Sequence, residues 1–136
     1  MGNVSHLEQR GWDVAAFRKI VAAEPPSLAI VRRELDRVLG EQPFPPNRRA
    51  DVRLAVSEAC ANAVKHAYPD KEPGEILITA GISPEALVVT VRDYGRGFPA
   101  GRPPAGLGVT LIHALADAVD TVDGDPGIAV RMEFRL

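Results

Sequence analysis

Three features are scarce in this sequence: cysteine, net charge and long apolar runs. Cys60 is the single cysteine in 136 residues, which excludes an internal disulfide and a zinc site built from several cysteines. Sixteen basic and eighteen acidic residues leave a formal net charge of -2, so neither a nucleic-acid-binding surface nor a membrane-adsorbing surface is expected. No run approaches the roughly 18 apolar residues that a membrane helix needs, so we expect a cytoplasmic protein.

Length and composition indicate one folded domain. A chain of 136 residues with 46% hydrophobic content suits a single domain with one core. Residues 1–13 are polar and show no sustained period, so we expect a flexible N-terminal arm there. The domain itself is predicted at residues 14–136.

Hydrophobic periodicity predicts both strands and helices, joined in part by hairpin-length connections. We predict strands at 17–23, 75–82, 86–93, 119–123 and 127–135. We predict helices at 27–40, with Ser27 as the cap, at 47–68 and at 109–118. Short links between adjacent strands favour an α+β fold, a two-layer α/β sandwich in which helices cover one face of a mixed, mostly antiparallel sheet.

The segment SEACANAVKHAY carries three polar residues at intervals of four, Glu58, Asn62 and His66. On a helix this spacing places them along one side, next to the apolar stripe. Asn62 suits Mg²⁺, which takes most of its ligands from water and phosphate. Glu58 could accept a proton from an attacking hydroxyl. His66 receives no catalytic role, and in isolation such a row is more often merely solvent-facing.

A second motif, DYGRG, follows a predicted strand. Asp93 could accept a hydrogen bond from an exocyclic amine such as adenine N6. Gly95 and Gly97 would let the backbone approach a flat ring, because they carry no Cβ. A simple turn, with the aspartate bound to its own backbone, explains this segment equally well when it is taken alone.

A third motif, Gly106-Leu107-Gly108, precedes a predicted helix, whose N-terminus could hold a phosphate. It is not a Walker P-loop because no lysine follows, and a lone glycine pair in this position is more often a cap. Residues 95–100 also satisfy the dinucleotide pattern G-x-G-x-x-G/A. We reject that interpretation because the prolines of the loop prevent a helix from starting there.

The three motifs occur in this order within about fifty residues, and together they resemble the N, G1 and G2 boxes of the GHKL ATP-binding superfamily, which includes gyrases and histidine kinases. Residues 17–135 are most similar to the stand-alone bacterial anti-sigma-factor serine kinases. No helical hairpin with a phosphoacceptor histidine precedes the domain, so a full-length histidine kinase is not expected.

The resemblance implies a protein kinase that uses ATP and Mg²⁺. It implies transfer of the γ-phosphate to a serine of a STAS-type anti-sigma-factor antagonist, capture of a sigma factor, and homodimerisation, which is common in that group. By resemblance, Glu58 is the base, Asn62 the magnesium ligand and Asp93 the adenine-binding carboxylate. The remaining assignments lie in the glycine-rich segments around the nucleotide: Gly95 and Gly97 at the purine, Gly106, Leu107 and Gly108 at the phosphates, and Arg102 approaching the phosphates.

Two departures from the family pattern keep a rival hypothesis open. The loop between Phe98 and Gly106 has only seven residues, which shortens the lid over ATP. Gly127-Ile128 stands where the family often has Gly-Thr, so a hydroxyl is missing at the adenine end. The rival is a non-catalytic regulatory module that binds a nucleotide and a partner protein without phosphoryl transfer.

Overall fold

The structure is a computed structural model that describes residues 14–67, 74–95, 107–123 and 126–136. The predicted arm at residues 1–13 lies outside this part of the chain. The strands are β1 (Val14–Ala22), β2 (Glu75–Ile82), β3 (Ala86–Asp93), β4 (Ala118–Asp123) and β5 (Ile128–Arg135). The helices are α1 (Ser27–Gly40), α2 (Pro46–His66) and α3 (Leu107–Leu115).

The five strands form one sheet in the order β1-β2-β3-β5-β4, and every neighbouring pair is antiparallel. The α+β class is confirmed, but the sheet is not mixed as predicted. The reason is that α3 carries the chain from β3 to the far edge, and the turn after β4 then brings β5 back between the two. β3 and β4 run in the same direction without pairing.

Alternation along the central strand β3 assigns its two faces. Leu87, Val89 and Val91 face the helices and belong to the hydrophobic core, whereas Thr90 and Arg92 point to the opposite face. By the same alternation Asp93 lies on the helix side. All three helices contribute to this one core, so the predicted helix layer on one face of the sheet is confirmed for the described residues.

The core lies between the helices and the sheet. Its largest fully buried side chains include Phe134 and Met132 of β5 together with Leu35 and Leu39 of α1. Cys60 of α2 is part of it, and burial raises the pKa of its thiol to about 12 against the opposing charge of Arg32. Cys60 is therefore a small, inert core residue.

Helix boundaries differ slightly from the predicted ones. Ser27 is the buried first residue of α1, and it makes no capping hydrogen bond. α2 starts at Pro46, whose missing N–H is tolerated at the first helical position, and it ends at His66. Within the described ranges, no helix combines the length and the apolar character that crossing a membrane would require.

Arg48, in the first turn of α2, ties three elements together. Its guanidinium donates to the Leu115 carbonyl at the end of α3 over 2.8 Å and pairs with Asp117. Asp117 also accepts the backbone N–H of Arg135 over 2.6 Å. Burial raises the pKa of the Asp117 carboxyl, but that backbone bond and the Arg48 charge outweigh it and hold the pKa below its usual range. The start of α2 is thereby fixed to the ends of α3 and β5.

Candidate functional site

The polar residues of α2 lie at the border of the core. Glu58 and Asn62 are half-buried beside buried Ala59 and Ala63, while His66 is exposed in the last turn. Within the described residues, neither Glu58 nor Asn62 makes a side-chain hydrogen bond or ion pair. Their polar atoms therefore have no protein partner among the described residues, and their role at a ligand stays a prediction.

Asp93, the last residue of β3, is buried at 6% exposure. Its Oδ1 atom accepts two backbone N–H groups, that of Gly95 at 3.0 Å and that of Ile128 at 3.2 Å. Burial raises the pKa of the carboxyl, and the two N–H groups and the charge of Arg92 partly oppose that shift. Among the described residues Oδ2 has no donor, so it is the oxygen left to accept a bond from a ligand.

Gly127 lies against Asp93, a position that the sequence alone did not single out. It has φ +87, and a Cβ built on it would lie 2.1 Å from the Asp93 carbonyl oxygen and 2.8 Å from Asp93 Oδ1. Only glycine fits this position without displacing the carboxylate. The predicted strand at 127–135 includes Gly127, and the sequence motif Gly127-Ile128 drew attention only to the side chain of Ile128. The available signal was the glycine- and proline-rich turn that precedes it.

Ile128 contributes through its backbone. Its apolar side chain removes the hydroxyl that the resemblance leads one to expect there, yet its N–H still reaches Asp93 Oδ1. The hydrogen bond joins residues 35 positions apart in the chain. The carboxylate is thus fixed from β5 irrespective of the side chain at position 128.

Gly95 has a reason for being glycine that differs from the predicted one. A Cβ at this position would lie 2.0 Å from the carbonyl oxygen of Ala67, the C-cap residue that follows α2. The missing Cβ therefore lets the end of α2 pack directly against the loop that follows Asp93. This contact places the C-terminal end of α2, the helix that carries the polar row, beside the loop that follows Asp93.

Distances along α2 follow from the rise of about 1.5 Å per helical residue. Counted from Ala67, which contacts Gly95, Asn62 lies about 7.5 Å and Glu58 about 13.5 Å towards the start of the helix. Going from the Asp93 end towards the start of α2, a ligand would therefore pass the amide oxygen of Asn62 first and the carboxylate of Glu58 second. An elongated ligand lying along α2 would meet these groups in that order.

The third motif is only partly described. α3 starts at Leu107, so Gly108 lies inside its first turn and not before the helix as predicted. Arg48 binds the carbonyl of Leu115 at the C-terminal end of α3. The first turn of α3 lies about 13 Å from this hydrogen bond, which is the length of the helix. Gly97, Arg102 and Gly106 lie outside the described residues, and their assignments stay predictions.

The described residues are compatible with a magnesium site that has few protein ligands. Among the residues that the structure describes, no three histidine, cysteine, aspartate or glutamate side chains gather into a metal site. A metal held by Asn62 would therefore take its other ligands from water and phosphate, as Mg²⁺ commonly does.

Comparison with known proteins identifies the family. The profile described as Histidine kinase-like ATPase domain matches residues 21–134. The chain belongs to this family. Its relatives include the serine-protein kinases RsbW of Bacillus velezensis, 33% identical over 82% of this chain and 80% of the relative, and of Bacillus subtilis, 32% identical over the same shares. RsbW of Oceanobacillus iheyensis is 31% identical over 97% of this chain and 87% of its own length.

A solved structure shares the fold. The crystal structure of the RsbU and RsbW domains of Rv1364c from Mycobacterium tuberculosis matches with a TM-score of 0.69 and 22% identity, over 88% of this chain and 31% of that chain. At this identity the likeness shows the fold alone, and this chain spans about a third of that longer one. The GHKL resemblance and the fold class are confirmed, and the predicted enzyme class, a protein-serine kinase, is the class of the RsbW relatives.

Proposed function

We propose that this protein is an ATP- and Mg²⁺-dependent protein-serine kinase that acts as an anti-sigma factor. It phosphorylates a serine of a STAS-type antagonist and sequesters a sigma factor. The family membership supports ATP use, and the RsbW relatives support transfer to serine. The observation that carries the proposal is the buried Asp93 carboxylate, held through one oxygen by two backbone donors beside the end of α2.

Asp93 is the adenine-recognising group in this proposal. Its Oδ2 accepts the exocyclic N6 amine, and its fixed Oδ1 prevents the carboxylate from rotating. A buried, pre-oriented acceptor rejects a base without an amine at this position, because the acceptor would then be left unpaired. The site therefore binds adenine in preference to purines that lack the amine.

Asn62 and Glu58 act farther along α2. Asn62 offers an amide oxygen to Mg²⁺, which when bound neutralises charge on the transferred phosphate. Glu58, about 6 Å nearer the start of the helix, accepts the proton of the attacking serine hydroxyl. Both side chains are half-buried and uncommitted within the described residues, which suits groups that must turn towards a ligand.

The phosphate end is assigned to the segment that enters α3. Leu107 and Gly108 are in its first helical turn, where backbone N–H groups lack helical partners and attract anions. Gly106 and Arg102 would complete this end, and Gly97 would line the purine pocket. These three roles rest on the resemblance.

The rival function is a nucleotide-binding regulatory module without phosphoryl transfer. The observation that favours it is the apolar Ile128 beside the adenine end, together with the seven-residue loop before Gly106. Both functions need the same pocket, and only the kinase needs Glu58.

Transfer of labelled phosphate from ATP to candidate STAS-domain proteins tests the proposal. Wild-type protein should label a serine, and Glu58→Gln should lower the transfer rate by about 10²–10⁴-fold while ATP binding is kept. His66→Ala, an exposed change on the same row of α2, serves as the matched control and should leave the rate unchanged.

Three outcomes would contradict parts of this proposal. ATP binding without transfer to any serine would favour the regulatory module. A Glu58→Gln variant that transfers phosphate as fast as wild type would rule out Glu58 as the base. Absence of ATP binding would eliminate both functions.

A further inference from the structure

Arg92 lies next to Asp93 in β3 but points to the opposite face of the sheet. It is buried at 9% exposure. Its guanidinium carbon lies 4.0 Å from the centroid of the Tyr94 ring, and its Nη2 donates to the Pro126 carbonyl oxygen over 3.5 Å. Arg92, on the face of the sheet away from α2, therefore contacts two segments: one through the Tyr94 ring and the other through the Pro126 backbone.

Both segments present a donor to Asp93. Tyr94 directly precedes Gly95, whose N–H binds Oδ1 at 3.0 Å. Pro126 precedes Gly127 and Ile128, and the Ile128 N–H binds the same oxygen at 3.2 Å. One guanidinium thus holds the flanks of the two donors that orient the carboxylate.

We propose that Arg92 is a positioning residue for nucleotide binding: by stacking on Tyr94 and binding Pro126, it holds the Gly95 and Ile128 N–H groups against Asp93. This inference rests on the proposed function, because it assigns Arg92 to the adenine end of that site. Arg92 itself does not touch the nucleotide. Its contribution passes through the geometry of the carboxylate.

The electrostatics of Asp93 provide a second readout. Burial raises the pKa of the Asp93 carboxyl, and the two backbone N–H groups and then the charge of Arg92 oppose that shift. Losing Arg92 removes its charge and also loosens both donors. Both effects favour the protonated carboxyl, so the pKa of Asp93 should rise further.

The experiment compares Arg92→Ala, Arg92→Lys and Tyr94→Ala in the full chain. The dissociation constant of ATP is measured by calorimetry, and the titration midpoint of the Asp93 carboxyl is measured by carbon NMR without nucleotide. We expect Arg92→Ala to weaken ATP binding about tenfold, a factor that corresponds to the strength of one cation–π contact. We also expect it to raise the titration midpoint of Asp93. Arg92→Lys keeps the charge without the planar guanidinium, so it should recover only part of both.

Tyr94→Ala provides a second test in case the Arg92→Ala protein fails to fold. Tyr94 is 42% exposed, so its removal should disturb the fold less. It keeps the Arg92 charge and should still raise the midpoint and weaken ATP binding. The matched control is Arg131→Ala, an arginine of β5 whose register places it on the same face and whose partner there is Asp120 at 3.7 Å. It should leave both quantities unchanged.

When wild-type protein binds ATP, two results would overturn the inference. One is a folded Arg92→Ala protein with wild-type ATP affinity. The other is an Arg92→Lys protein equal to wild type in both measurements, which would show that charge alone acts. If wild-type protein fails to bind ATP, the proposed function fails, whereas the carboxyl midpoints still decide whether Arg92 positions the donors. In that case an unchanged midpoint in Tyr94→Ala overturns the inference, and a raised one supports it.

Discussion

Replacing Gly127 by alanine should damage the fold and the site together. Gly127 adopts φ +87, a region that costs a residue with a Cβ about 1–2 kcal/mol. The new Cβ would also lie 2.1 Å from the Asp93 carbonyl oxygen. That neighbour is backbone of the central strand, so relief requires the turn to move, at a cost of about 1–3 kcal/mol.

The unfolded chain loses some entropy on the same substitution, which offsets about 0.4–1 kcal/mol. The expected net loss is about 2–4 kcal/mol in the free energy of unfolding, with a fall of about 10 °C in the unfolding midpoint temperature. Because the Ile128 N–H moves with the turn, ATP affinity should also fall in the protein that remains folded.

Chemical denaturation and calorimetric ATP binding measure the two effects. The matched control is Gly40→Ala at the end of α1, where an added Cβ meets nothing within 4 Å and the backbone has no positive φ. It should be neutral or stabilising by about 0.5–1 kcal/mol. A Gly127→Ala protein as stable as Gly40→Ala would refute the reasoning.

The remaining predictions concern Arg48 and Asp93. Arg48→Ala removes the hydrogen bond to Leu115, the ion pair with Asp117 and the contact with the Phe134 ring at 5.7 Å. Chemical denaturation should therefore show a loss of about 1–3 kcal/mol in the free energy of unfolding. A loss below about 0.3 kcal/mol would contradict the role of Arg48 in linking α2 to α3. Because burial raises the pKa of Asp93, its contribution to stability is fully present below the ordinary value of 3.8 and is lost as the pH rises through the raised pKa. Adenosine affinity should fall on acidification through that pKa, because a proton on Oδ2 turns the hydrogen-bond acceptor into a donor. Adenosine is used because it lacks titrating phosphates. If the pH step persisted in Asp93→Asn, the assignment of Asp93 would be disproved.

The strands and helices were largely legible in the sequence. β2 and β3 begin and end where the alternation and the connection at Ser83 predict, and the Ser83 hydroxyl accepts the N–H of Ala86 over 3.1 Å in that turn. α1 likewise coincides with its predicted range at 27–40. These features depend on residues close together in the chain, so local pattern suffices to predict them. The polar row of α2 is of the same kind, because a four-residue spacing fixes one side of a helix.

The strand order, the glycine requirements and the position of Arg92 were decided by tertiary structure. Nothing near Gly95 indicates that the end of α2 will pack against it, and nothing near Gly127 indicates that Asp93 will lie beneath it. Each requirement arises where two segments distant in sequence approach to within one atomic contact, and such an approach leaves no periodic trace in either segment. The sequence by itself determined which groups the protein could present to a nucleotide, and the packing of β5 and α2 around Asp93 determined how they are held.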